Sequence, residues 1–167
     1  MDGENRNDSQ NTINQSPVMP RIRDFTGSFT HFIDAKGRVI VPSVYKKALG
    51  EAFTIAPTRN FKAIALYPNI VFDRIVDQLM EKERPTSWEE EYMAKFAKFS
   101  YREVQPDGQG RILLPAKLRQ FILGDAKELE ISGAWDHVRL MDNVQADAQD
   151  LEFLKNMEKR DRGEQEA

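Results

Sequence analysis

The sequence predicts a mainly β, α+β fold built from two copies of one small strand-rich unit, with a helical hairpin between the copies and a C-terminal helix. Three observations predict it. Residues 34–49, DAKGRVIVPSVYKKAL, return 73 positions later as residues 107–122, DGQGRILLPAKLRQFI. Short runs of β-branched and aliphatic residues then follow each copy in the same order. Apolar residues recur at helical spacing between the copies and again at the C-terminal end.

Within the repeat, Asp34 aligns with Asp107, Gly37 with Gly110, Arg38 with Arg111 and Pro42 with Pro115. Lys46 falls on Arg119, and Gly50 and Gly124 close the segments within one residue of register. Gly37 and Gly110, just ahead of an aliphatic run, supply the positive φ of a tight hairpin turn. Asp34 and Asp107, three residues earlier, can accept from turn N–H groups. The runs Val39, Ile40, Val41 and Ile112, Leu113, Leu114 suggest strands buried on both faces. Proline then ends the strand and presets a short helix, which Gly50 or Gly124 stops.

Strands Gly27–Ile33 and Ser100–Gln105 enter the turns. Phe53–Ala56 and Glu128–Ser132, then Ala63–Tyr67 and Val138–Met141, leave the short helices. A unit of about four short strands cannot bury a core alone. The two copies are therefore expected to pack as a pseudo-twofold pair. Between them, Asn69 is the expected N-cap of a helix burying Phe72, Ile75, Val76, Leu79 and Met80. After Pro85, Ser87 with Glu90 forms a capping-box pattern ahead of Trp88, Tyr92, Phe96 and Phe99. Val144, Ala148, Leu151, Leu154 and Met157 mark the last helix. These boundaries give a disordered polar extension over 1–24, a first unit plus helix over 25–82, a helix plus second unit over 83–142, and a terminal helix with charged tail over 143–167.

Composition narrows the function. With 167 residues, 40% hydrophobic and 31% charged, the chain can build one ordinary core. Cysteine is absent, which removes disulfide scaffolds, thiolate nucleophiles and cysteine zinc sites. Two histidines, His31 and His137, do not make a His-rich metal site. No apolar run reaches the ~18 residues of a membrane helix, and residues 1–20 contain no hydrophobic signal core. A cytoplasmic protein is expected. Phosphate-binding glycine loops, nucleophile elbows and metalloprotease patterns are missing too. An enzyme, a cofactor, a small-molecule substrate and a metal site are therefore not expected.

Net charge is −3, yet residues 21–72 carry +5 and residues 92–141 carry +2, each followed by an acidic stretch of −4. Both positive stretches contain a turn. A hairpin turn projects its side chains off the sheet, so Lys36 and Arg38 are expected on one exposed rim, with Gln109 and Arg111 at the equivalent place. Arg21, Arg23 and His31 flank the first turn and extend its patch. Arginine can take guanine O6 and N7 bidentately or clamp a phosphate, and glutamine can read adenine or touch phosphate. The alternative is that each arginine pairs with its own aspartate and only holds the hairpin.

DAKGRVIVP and DGQGRILLP resemble the DxxxR signature of the MraZ family, which is built from two AbrB-like swapped-hairpin units. The likeness spans about residues 25–157 and includes FTGSFTHFID, the LYP of Leu66 to Pro68, and ISGAWDHVRLMD. Lys46 stands where the family commonly has arginine after an aromatic, and Met141 where it usually has tryptophan. The resemblance implies a bacterial transcription regulator that binds double-stranded DNA. It also implies a nucleoid-associated, ring-shaped homo-oligomer on short repeats upstream of the division and cell-wall genes. AbrB-like hairpins also occur in antitoxins with acidic tails. A protein-binding antitoxin or scaffold is therefore the alternative for a chain whose residues 142–167 sum to −4.

Overall fold

The computed structural model describes residues 22–163. Arg21 and nearly all of the expected N-terminal extension lie outside the described residues. Within them the α+β class holds. The first copy contributes β1 (Ser28–Phe32), β2 (Arg38–Ile40), α1 (Lys46–Leu49, entered through a 3-10 turn at Ser43–Tyr45), β3 (Phe53–Pro57) and β4 (Ile64–Tyr67). Two helices follow, α2 (Asn69–Met80) and α3 (Ser87–Lys98). The second copy supplies β5 (Tyr101–Val104), β6 (Arg111–Leu113), α4 (Ala116–Leu123), β7 (Glu128–Gly133) and β8 (Val138–Asp142), and α5 (Asn143–Asp161) completes the described chain.

Neither copy closes a sheet by itself. The large sheet runs β1–β7–β8–β4–β3–β5 with antiparallel neighbours throughout. Replacing every strand by its counterpart in the other copy gives the same order reversed. β4 and β8 meet at the centre, with Ala65 opposite Arg139. The outer strands are exchanged: β1 pairs with β7, Phe29 opposite Ile131, and β5 pairs with β3, Phe53 opposite Val104. β2 and β6 leave this sheet and pair only with each other.

The core follows from that exchange. Ile55, Ile64, Leu66, Leu129, Ile131 and Leu140 face Val39, Val41, Ile112 and Leu114 of the small ribbon and Leu118 of α4. On the other face, Ala56 and Ala65 are small enough to let α2 and α3 approach, and Tyr67, Val71, Phe72, Ile75 and Phe96 fill the layer. β3 and β4 are therefore buried along their whole length. The edge strand β1 alternates between exposed and half-buried positions, as a strand covered on one face does.

Several local expectations shift. The three-aliphatic runs are not buried on both faces. Val39, Val41, Ile112 and Leu114 are at most 2% exposed, while Ile40 is 46% and Leu113 61% exposed. The reason is that a two-stranded ribbon has only one face against the core. Asn69 does not cap α2, because its side chain is taken by β3: it accepts from Thr54 Oγ1 at 3.2 Å and donates to the Ala52 carbonyl at 3.3 Å. The capping box is Thr86 with Glu89, one residue earlier than expected, Thr86 being the extended residue after Pro85. In α5 only Ala146 is buried; Val144, Leu151, Leu154 and Met157 face solvent because the helix runs past the sheet. Met80 and Trp88 are exposed as well.

Candidate functional site

Each DxxxR copy forms the same closed turn. In the first, Asp34 N–H donates to the Arg38 carbonyl at 2.9 Å and Gly37 N–H to the Asp34 carbonyl at 3.0 Å. Asp34 Oδ1 accepts from the N–H groups of Lys36 and Arg38, both at 2.9 Å, and Oδ2 accepts from Arg38 Nε at 2.7 Å. In the second, Asp107 Oδ1 accepts from Gln109 and Arg111 N–H at 2.9 and 3.0 Å, and Oδ2 from Arg111 Nε at 2.9 Å. Gly37 and Gly110 have φ of 82° and 77°, in the left-handed region expected of them. The N–H groups of Arg38 and Arg111, foremost among these donors, hold the two carboxyls below their ordinary range.

Asp34 and Asp107 thus shape the turns, and each also orients an arginine. Because the carboxylate takes Nε, the two terminal nitrogens of Arg38 and of Arg111 make no hydrogen bond among the described residues. That is the edge of the guanidinium that forks onto two acceptors. The pairing with aspartate thus leaves the forked edge unbonded on side chains that are 28% and 26% exposed.

The pairing of β2 with β6 unites the copies. Arg38 lies opposite Leu113, Val39 opposite Ile112 and Ile40 opposite Arg111. Each turn glycine's carbonyl adds a further rung, Gly110 accepting from Val41 N–H at 2.9 Å and Gly37 from Leu114 N–H at 3.0 Å. The two turns therefore sit at opposite ends of one short ribbon. Each is covered by a cation from the other copy. A Cβ built on Gly37 would lie 2.5 Å from Arg119 Nη1, and one built on Gly110 would lie 3.5 Å from Lys46 Nζ. The side chains of Arg119 and Lys46 have no hydrogen bond or ion pair among the described residues. Lys36, Arg38 and Arg119 thus gather at one turn, and Gln109, Arg111 and Lys46 at the other.

Sequence reasoning passed over Arg119 and Lys46 as site residues. The signal available was their alignment with each other across the repeat, but which turn each one reaches is set by the strand exchange. Arg23 does not adjoin the first turn. It lies beyond the opposite end of β1, in a cleft of about 660 Å³ shared with Arg59, Arg74 and Trp135. That end is fixed by the bridge between Phe25 and Trp135. His31 is half-buried in β1. His137 Nδ1 is 2.6 Å from Asp136 Oδ1, and its ring lies 5.2 Å from that of Tyr67, a packing role. Glu130, Asp147 and Asp150 are the metal-ligating types that gather among the described residues. Burial, then the charges of Asp150 and Asp147, push the Glu130 carboxyl up. No described helix is long and apolar enough to cross a membrane.

A family model described as MraZ protein, antitoxin-like, matches residues 100–152, which hold β5, the second turn, β6, α4, β7, β8 and the start of α5. A protein named transcriptional regulator MraZ from Lachnoclostridium phytofermentans is 38% identical over 96 residues, covering 58% of this chain and 66% of its own. One of the same name from Acetivibrio thermocellus is 32% identical over 124 residues, covering 71% and 80%. Another from Symbiobacterium thermophilum is 34% identical over 114 residues, covering 68% and 80%.

Proposed function

The chain belongs to the MraZ family of transcriptional regulators, and from that premise we propose that it binds double-stranded DNA with the exposed face of the β2–β6 ribbon and its two turns. The family is one of regulators and not of enzymes. The observation that carries this reading is the pair Arg38 and Arg111, each held at Nε by its own aspartate with its terminal nitrogens making no hydrogen bond among the described residues. A two-stranded ribbon fits the major groove of B-DNA, where a fork of this kind matches guanine O6 and N7. Lys36, Gln109, Lys46 and Arg119 surround the arginines and reach the flanking phosphates. Arg21 and Arg23, proposed from the sequence as DNA contacts, are left out of this surface, Arg23 because it sits at the other end of β1.

The exchanged strands support reading the two copies as an AbrB-like swapped-hairpin pair, in which the first unit with its helix (25–82) and the second (83–142) form one DNA-binding body. One such body makes few phosphate contacts, and its binding alone is weak and salt-sensitive. A ring-shaped homo-oligomer on repeated sites multiplies them through effective concentration. The exposed Trp88 and Phe121, and the Leu151 and Leu154 of α5, supply apolar contact surface for that ring. The proposed sites are the short repeats upstream of the bacterial division and cell-wall genes, and the proposed setting is the cytoplasm, on the nucleoid.

A second reading, a protein-binding antitoxin or scaffold, draws on the exposed apolar residues of α5 and the acidic charge of residues 142–167. Fluorescence anisotropy separates the two. The full chain is titrated at several salt concentrations with a duplex from upstream of the division genes, beside a scrambled duplex and an Arg38→Ala variant. Tight binding to the native duplex alone, lost in the variant, is the expected result. Equal, weak binding to both duplexes overturns the DNA reading and favours the protein partner.

A further inference from the structure

Resting on the DNA-binding reading, we infer that Ile40 and Leu113 are specificity-determining residues that contact thymine C5-methyl groups in the major groove. The inference starts from register. In an antiparallel pair, directly opposed residues share a face. Val39 opposite Ile112 therefore forms the inner face, each 1% exposed. Arg38 opposite Leu113 and Ile40 opposite Arg111 form the outer one. This outer face is a square of four side chains, with a cation and an aliphatic alternating around its corners.

Two branched aliphatics on that face have no packing explanation. A ribbon with one side on a core ordinarily turns polar residues outward, yet Ile40 and Leu113 stay 46% and 61% exposed between two arginines. The repeat carries both. Ile40 and Leu113 occupy equivalent positions, each two residues beyond its arginine and directly across the ribbon from the arginine of the other copy. The internal symmetry that duplicates the cation duplicates the apolar contact beside it.

The chemistry of the groove supplies the ligand. Of the groups that bases present on the major-groove edge, the thymine C5-methyl is the apolar one, and aliphatic side chains recognise it by contact. Opposed side chains on a ribbon stand about 5 Å apart, and successive bases rise about 3.4 Å. An aliphatic across from an arginine therefore falls one to two base pairs from the base which that arginine reads. Because Asp34 and Asp107 balance Arg38 and Arg111, it is the cations beside them with no ion pair among the described residues, Lys36, Lys46 and Arg119, whose charge complementarity commits this face to a nucleic acid over a second copy of the chain.

The test uses the full chain and two duplexes from upstream of the division genes, identical except that one carries deoxyuridine in place of thymine. Deoxyuridine keeps pairing and charge and lacks only the methyl. Burial of one methyl is worth about four-fold in affinity, so the wild type is expected to bind the uracil duplex about four- to fifteen-fold more weakly, for one or two methyls. An Ile40→Ala, Leu113→Ala double variant is expected to bind both duplexes alike, at the lower affinity. Ile40→Thr, which keeps the β-branched strand preference, guards against a folding artefact and is expected to show a reduced difference. Equal binding of the two duplexes by the wild type overturns the inference while leaving the DNA-binding reading intact. So does undiminished uracil discrimination in the double variant. A change in assembly size in the double variant, with discrimination unchanged, assigns the face to contact between copies and also overturns it. Failure of the wild type to prefer either duplex over a scrambled one removes the DNA-binding reading itself, and the inference with it.

Discussion

Arg119 stands over Gly37, so close that a Cβ on the glycine would lie 2.5 Å from Arg119 Nη1. The contact joins a helix of one copy to a turn of the other, and Lys46 over Gly110 is its looser counterpart at 3.5 Å. Both glycines also hold a left-handed φ that L-residues adopt only at a cost of about 1–2 kcal/mol. Gly37→Ala and Gly110→Ala are therefore each expected to destabilise by about that backbone cost, since Arg119 Nη1 is the far end of a flexible side chain with no bond among the described residues to hold it there. Denaturant unfolding measures both. Adding Arg119→Ala to Gly37→Ala is expected to recover little and leave the backbone cost.

The turns depend on pH through Asp34 and Asp107. Each carboxyl is favoured in its charged form by the folded turn, first through the N–H of the arginine four residues on, so its folded pKa lies below its ordinary value of 3.8. The stabilisation is then fully present above that ordinary value and is lost as pH falls through the lower folded one. NMR titration of the two carboxyl carbons is expected to show midpoints below 3.8. Asp34→Asn is expected to flatten the acid limb of the stability curve.

The ribbon predicts opposite outcomes on its two faces. Ile112→Ala empties a site 1% exposed and is expected to cost about 2–5 kcal/mol. Ile40→Ala, one position along on the paired strand but facing solvent, is expected to stay within about 0.5 kcal/mol of wild type. Equal losses for the two substitutions in chemical denaturation would contradict the one-faced burial of this ribbon.

Salt dependence separates the roles of the cations. On the proposed DNA surface, Arg119→Ala and Lys46→Ala remove phosphate contacts and are expected to weaken binding about equally on all sequences. Each should also shallow the slope of log K against log salt by about 0.9 for every phosphate it leaves without a cation. Arg38→Ala and Arg111→Ala remove the proposed base-edge contacts as well and are expected to cost about 1–3 kcal/mol of discrimination between correct and altered sites. Anisotropy titrations over several salt concentrations measure both quantities.

α5 exposes Val144, Leu151, Leu154 and Met157 along a helix of which only Ala146 is buried. If this surface joins subunits, Leu151→Glu with Leu154→Glu is expected to lower the assembly mass in light scattering without lowering the melting temperature of the protomer.

The features legible in the sequence are those whose causes lie within a few residues. The DxxxR turns, the positive φ of Gly37 and Gly110, the aspartate that gathers N–H groups, and the helical stripe of α2 are set by side chains two to four positions away. Tertiary structure decided what those pieces meet. An aliphatic run such as Val39–Ile40–Val41 fits burial on one face or on two. The pairing of β2 with β6 is what buries Val39 and leaves Ile40 in solvent. Likewise, that Arg119 and Lys46 are equivalent is visible in the repeat, but that each covers the other copy's turn follows from an approach between residues far apart in the chain. Local chemistry determined the shape of each turn, and long-range strand exchange determined which charges and apolar groups share its exposed face.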